Sequence, residues 1–295
     1  MTTLFDRRWR VQVGTFDVSD LDCAFKIKKQ HAGSPGDCEL TVYNLWRDHR
    51  DALHATSRGA YVQIDAGYAD GMSRFFQGTS RRINVLRVRT DWVVKVTAGD
   101  GEFGIRRARI AQGFPRGTTL TTVVQALATA MGVGVGNAVT ALGSARFNDG
   151  TAIFPGGTVF HGLASQTLTT LCDAVGMEWS VQDGQLLVLP IGGALQREAI
   201  VLSPSTGLLD SPEVGKKNKL RAKCLLIPGL SPGVKVQVIS AGTNGFFRVT
   251  KLEAKGETRG KDWDATLDLS PYPPPPPVTP VVASSTAPTT SAPGS

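Results

Sequence analysis

Residues 98–124 read AGDGEFGIRRARIAQGFPRGTTLTTVV, and their interpretation decides the fold. A strand-like run, Trp92 to Thr97, leads into Gly99, Gly101 and Gly104, which have the G-x-G-x-x-G spacing of a dinucleotide-binding loop. Such a loop needs a helix N-terminus directly after the glycines, where unpaired backbone N–H groups meet the pyrophosphate. Here Ile105 to Arg109 follows, then Gly113 and Pro115, and helical periodicity starts only near residue 118. Asp100 and Glu102 inside the loop repel phosphate. The acid that should bind the ribose about 20 residues on is missing from Leu120 to Gln125. The glycines therefore read as a turn closing a sheet, and no cofactor-binding residue is expected.

Upstream of this turn the chain alternates with period two, the signature of sheets with one wet face. Leu21, Cys23, Phe25 and Ile27 face one way, and Asp22, Lys26 and Lys28 the other; Cys38, Leu40 and Val42 repeat the pattern. Leu45 to Ala55 reads as a short helix. Strands follow at Tyr61–Gly67, Arg74–Gly78, Ile83–Val88 and Trp92–Ala98. Downstream the period changes. Leu120, Val123, Val124, Leu127 and Met131 form a helical stripe, with Thr118 or Thr119 as cap and Gly132 as stop. Leu168, Leu171, Cys172 and Val175 form a second stripe ending at Gly176. The tetrapeptide TLTT occurs at 119–122 and again at 167–170, which suggests a duplicated αβ unit. A hairpin turning at Asp183-Gly184 closes the second unit. Further strands, at Leu220–Ile227, Val234–Ile239, Phe246–Leu252 and Trp263–Leu269, are punctuated by turns at Pro228-Gly229 and Asn244-Gly245.

The expected fold is mainly β with an α+β insertion. It divides into an N-terminal β domain (1–105), two small αβ units (106–192), a second β domain (193–271) and a Pro-rich tail (272–295) whose composition suits an extended chain. No apolar run approaches the roughly 20 residues that cross a bilayer, and the first residues lack the apolar core of a signal peptide. A soluble protein made in the cytosol is expected.

The net charge is +7, with basic groups spread over Arg7, Arg8, Arg10, Lys26, Lys28, Lys29, Arg81, Arg82, Arg106, Arg107, Arg109, Lys216, Lys217 and Lys219. A nucleic-acid reader interleaves such charges with stacking aromatics; this chain does not, and solvated faces or ion pairs between subunits fit better. The four cysteines (Cys23, Cys38, Cys172, Cys224) are scattered and read as buried thiols. His31, His49, His54 and His161 read as surface or loop residues without metal spacing. No activated-serine motif occurs. A carboxylate pair cannot be picked by spacing; Asp100 and Glu102 are the nearest candidates. Catalytic, metal and cofactor sites are all expected to be absent.

The order of VYNLWRDHRDAL, VQIDAGYADGMSRFFQGTSRRI, the stretch from Asp91 to Val133, LTTLCDAVGMEWSVQDGQLLVLP, TGLLDSPE and KCLLIPGLSPGVKVQV resembles that of the baseplate hub, or tail-tip hub, proteins of tailed bacteriophages and contractile injection systems. The likeness runs from residue 5 to 270. It implies two tail-tube-like domains, at Leu4–Gly99 and Ile200–Leu269. Three copies then present a pseudo-sixfold ring that joins a hexameric tail tube to a trimeric spike, with DNA passing through its lumen. The implied partners are further copies of the chain, the tube protein, the spike protein and other baseplate or wedge proteins. The implied location is the virion tail tip, and the implied role is structural rather than enzymatic. The rival functions are a tail-associated peptidoglycan hydrolase and a basic nucleic-acid-binding module.

Overall fold

The computed structural model describes residues 6–273 apart from 32, 57 and 216–218. The rest of the Pro-rich tail, together with Lys216 and Lys217, lies outside the described residues. The architecture is mainly β with an α+β insertion. A first strand group comprises β1 (Arg7–Val13), β2 (Phe16–Asp17), β3 (Cys23–Gln30), β4 (Gly36–Tyr43), helix α1 (Arg47–Thr56), β5 (Tyr61–Tyr68), β6 (Gly71–Val88) and β7 (Asp91–Asp100). A last group comprises β14 (Ile200–Leu202), β15 (Glu213–Val214), β16 (Leu220–Leu225), β17 (Lys235–Ser240), β18 (Thr243–Glu257) and β19 (Trp263–Pro271).

The two groups share one topology. The first is ordered β1-β5-β6-β7-β4-β3, with β2 added outside β1, and the last β14-β17-β18-β19-β16-β15. In chain order, each places its first strand at one edge, the next two at the other edge, and the last three between. The central strand is long in both, 18 residues in β6 and 15 in β18. Each carries a bulge, between Ser80 and Arg82 and between Val249 and Lys251, which bends the ladder. Each is followed by an Asp-Trp pair, Asp91-Trp92 and Asp262-Trp263, whose tryptophans lie opposite Arg87 and Gly256. One difference stands out: β1 runs antiparallel to β5, whereas β14 runs parallel to β17.

β3, an edge strand of the first group, joins the groups by pairing with the second part of β18 from Gln30↔Lys251 to Ala24↔Glu257, so that 13 strands form one sheet. Period-two alternation puts Phe25, Ile27, Leu40, Val94 and Val96 on the same side as Leu252, Ala254, Ala265 and Leu267, within one shared apolar core. The sheet curls so that β1 meets the β18–β19 hairpin. Arg7 donates to the carbonyl of Gly260 at 2.8 Å, and Trp9 meets Trp263 edge to face at 6.2 Å.

Between the groups lie α2 (Glu102–Arg106), β8 (Arg109–Phe114), β9 (Thr118–Thr119), α3 (Leu120–Met131), α4 (Ala138–Gly143), β10 (Ile153–Phe154), β11 (Thr158–Leu163), α5 (Ala164–Ala174), β12 (Met177–Gln182) and β13 (Gln185–Pro190). β8 pairs with β11, and Leu120, Val124, Leu127, Leu168 and Val188 share a second core. The two expected αβ units are thus packed as one body. The TLTT copies are not equivalent: Thr119 caps α3, accepting from the N–H of Thr122, while the second copy falls inside α5.

Three local expectations change. A one-turn helix, α2, begins directly after Gly101, where a helix was expected only near residue 118. Its five residues are too few to show a period. The runs at Arg74–Gly78 and Ile83–Val88 are one strand, because the bulge carries the chain past the polar stretch that appeared to interrupt it. Asn244-Gly245 lies inside β18, and the turn is made by Ala241-Gly242, between the paired residues Ser240 and Thr243.

The glycines of the opening motif serve packing. Gly101 adopts a φ of 63°, and a Cβ on Gly104 would stand 2.4 Å from the Met131 carbonyl oxygen. Gly104→Ala is expected to destabilise the chain by about 1–3 kcal/mol through overpacking. Gly143→Ala, in open space on α4, is expected to be neutral or to stabilise by up to about 1 kcal/mol. Urea unfolding of the two variants checks both values.

Candidate functional site

Two arrangements stand out, a buried polar clasp and a charged sheet face. The clasp fixes the β12–β13 hairpin to the end of the large sheet. Lys29 lies on the apolar side of β3, two residues after Ile27, with its side chain 2% exposed and its Nζ 2.6 Å from Asp183 Oδ1. Asp183 and Gly184 form the hairpin turn at φ 54° and 73°. Their N–H groups donate to the two oxygens of buried Asp100 at 2.6 and 2.9 Å. Beside this, buried His31 hydrogen-bonds Ser180 at 2.9 Å, and its Nε2 lies 3.4 Å from Glu178. Glu178 also pairs with Arg248, itself buried in β18, at 2.5 Å.

Burial pushes the Asp100 carboxyl up to about 6, opposed by Lys29 and by the two turn N–H groups and reinforced by Asp183. Glu178 lies below the ordinary carboxylate range: burial alone would raise it, but His31 and Arg248 outweigh that. Glu102, the other carboxylate singled out by sequence, points elsewhere. It pairs with Arg81 and Arg106 beside a cleft of about 460 Å³ lined also by Arg58 and Arg107. Asp100 and Glu102 therefore have separate partners, each holding the fold.

His31 corrects the expectation of four surface or loop histidines, since it is buried in the clasp. His49 stacks on Phe16 at 4.2 Å, and His54 and His161 are exposed. All four cysteines are buried free thiols. Burial pushes Cys23, Cys172 and Cys224 up to about 12, and raises Cys38 further. Among the described residues no three His, Cys, Asp or Glu gather as metal ligands, and no helix is long and apolar enough to cross a membrane. Sequence reading overlooked the clasp, although a lysine in register with Cys23, Phe25 and Ile27 was a visible signal. Its partners are about 150 residues away, which no local pattern shows.

The second arrangement is the outward side of the sheet. Cross-strand register lines up three rows of polar side chains. One runs Arg82, Thr97, Glu39, Lys26, Lys255, Asp264 across β6, β7, β4, β3, β18 and β19. The next runs Asp37, Lys28, Glu253, Thr266, Lys223, and the third Gln30, Lys251, Asp268, Arg221, Glu213. Ion pairs tie the rows together, Lys26 to Glu253 at 3.1 Å and Lys223 to Asp264 at 3.3 Å. The face crosses the β3–β18 junction without a break and carries both signs of charge throughout.

No protein-family model and no curated protein matches the chain. Solved structures do. A tail protein from Neisseria meningitidis MC58 superposes with a TM-score of 0.64 at 12% identity, over 91% of this chain and 97% of that one. The 43 kDa tail protein of prophage MuSo2 from Shewanella oneidensis gives 0.61 at 10% identity, over 90% and 97%. The fold is shared with phage tail proteins. It also matches an E. coli type VI secretion component (c3393), described as structurally similar to the T4 tail proteins gp27 and gp5, with a TM-score of 0.52 at 11% identity, over 91% of this chain and 77% of that one.

Lys29→Met leaves Asp100 and Asp183 without their buried cation and is expected to cost about 3 kcal/mol in urea unfolding. Because Asp100 rises from 3.8 to about 6, the native state keeps this proton to higher pH than the unfolded chain. The group's contribution is most favourable below about pH 4 and falls by about 3 kcal/mol as pH rises to about 6. Asp100→Asn is expected to remove that slope, so the stability difference between native chain and variant shifts by this amount across the window and stays flat above it.

Proposed function

We propose that the chain is a structural baseplate hub protein of a phage tail. Three copies form a ring that joins a hexameric tail tube to a trimeric spike and encloses the channel through which DNA leaves. The observation that carries this reading is superposition on phage tail proteins over nine-tenths of the chain. The repeated strand order supports it, since two like groups per chain let three chains match a sixfold tube. The charged face suits the channel wall. A purely cationic wall would hold DNA through counterion release, whereas interleaved carboxylates leave a wet surface with little net attraction. The ring's partners are the tube protein, the spike protein and neighbouring baseplate proteins, its place is the tail tip of the virion, and its role involves no catalysis.

Light scattering and electron microscopy of the purified chain test the proposal. The expected result is a trimeric ring with six similar lobes around its channel. A stable monomer, or clearing of peptidoglycan in a zymogram, would overturn it and favour the hydrolase reading.

A further inference from the structure

The two strand groups match closely enough to compare their edges. In the last group, one side of β18 pairs with β19; the other pairs with β17 over its first part and then with β3. In the first group, β6 pairs with β7 and, over its first part, with β5. Beyond the bulge, among the described residues, no strand pairs with the side of β6 that corresponds to the β3 position. Among the described residues the outer edge of β15, which corresponds to β3, is also unpaired.

We infer that β15 of one copy adds antiparallel to the open side of β6 in the next copy, repeating between chains the β3–β18 junction within each chain. This seam rests on the ring reading above and names its contact. The bulges set the register. Arg82 takes the place of Lys251, so Val85 corresponds to Ala254 and Leu86 to Lys255. Glu39 and Arg221 correspond through their partners Thr97 and Asp268, so Glu213 takes the place of Lys26 and Val214 that of Ile27. The internal junction sets Ala254 opposite Ile27 and Lys255 opposite Lys26. The seam therefore sets Val85 opposite Val214 and Leu86 opposite Glu213.

Burial supports this assignment. Ile27 and Ala254 are fully buried at the internal junction, whereas Val214 is 66% and Leu86 43% exposed, with Val85 half-buried. An edge strand presenting valine to water is an aggregation hazard unless covered. The contact is head-to-tail, the kind that generates a ring when its rotation closes.

The experiment introduces Leu86→Cys and Glu213→Cys together in the full chain and oxidises it. Directly opposed residues in an antiparallel pair fall within disulfide reach, and the four native thiols are buried. The expected result is a covalent ladder ending at trimer on non-reducing gels, at least tenfold above either single-cysteine variant. Val214→Asp, at a position exposed in the monomer, is expected to abolish trimers in light scattering with the monomer's Tm unchanged. Trimers in which the Leu86→Cys, Glu213→Cys pair fails to crosslink, or that survive Val214→Asp, overturn the seam and leave the ring reading standing. A chain that is monomeric throughout overturns both.

Discussion

The pairing of β3 with β18 is the contact on which the rest of the molecule depends. It brings together residues more than 220 positions apart and turns two strand groups into a single sheet. On one side it merges two apolar surfaces into a common core, and on the other it continues the charged rows from β4 to β19. Without it, Ile27 and Ala254 would face water and the charged face would be cut in two. The Lys29–Asp183–Asp100 clasp and the His31–Glu178–Arg248 cluster lie at the end of this same junction. They attach the helical insertion to the sheet through the residues where its two halves meet.

The insertion is tied down by polar contacts with exacting geometry. A lysine and an aspartate placed in an apolar setting are costly unless each finds a partner. Here the partners come from a hairpin turn whose left-handed residues point two N–H groups at one carboxylate. Such a network stabilises only one arrangement of hairpin against sheet, so it determines position more than it adds stability.

Much of this was legible in the sequence. Alternation at Cys23, Phe25 and Ile27 and at Cys38, Leu40 and Val42 located strands and their buried sides, and the stripe from Leu120 to Met131 located α3 and both its ends. Asp183-Gly184 marked its hairpin. What escaped was set by distant partners. α2 is one turn held by packing on Met131, β6 looked broken because a bulge hides its continuity, and Asn244-Gly245 offered a turn that the register of β17 and β18 overrode. The TLTT repeat suggested duplicated αβ units, and its two copies are not equivalent. The likeness of the two strand groups was expected only through the resemblance, because strand order and paired bulges appear only once the ladders are known. His31 was misplaced because a histidine at a strand end shows no local sign of the serine and glutamate that enclose it.

The shortness of β15 has a consequence for how copies of the chain associate. Within one chain, strands meet at the high effective concentration set by their connection, so a long junction such as β3–β18 forms unaided. A two-residue edge offers two separate molecules few hydrogen bonds to set against the freedom they lose on meeting. Each such contact is therefore weak alone, so in the proposed ring pairs of chains and open filaments gain little, and only closure, in which three contacts form together, holds the copies. A weak edge in this position acts as a safeguard against open-ended growth.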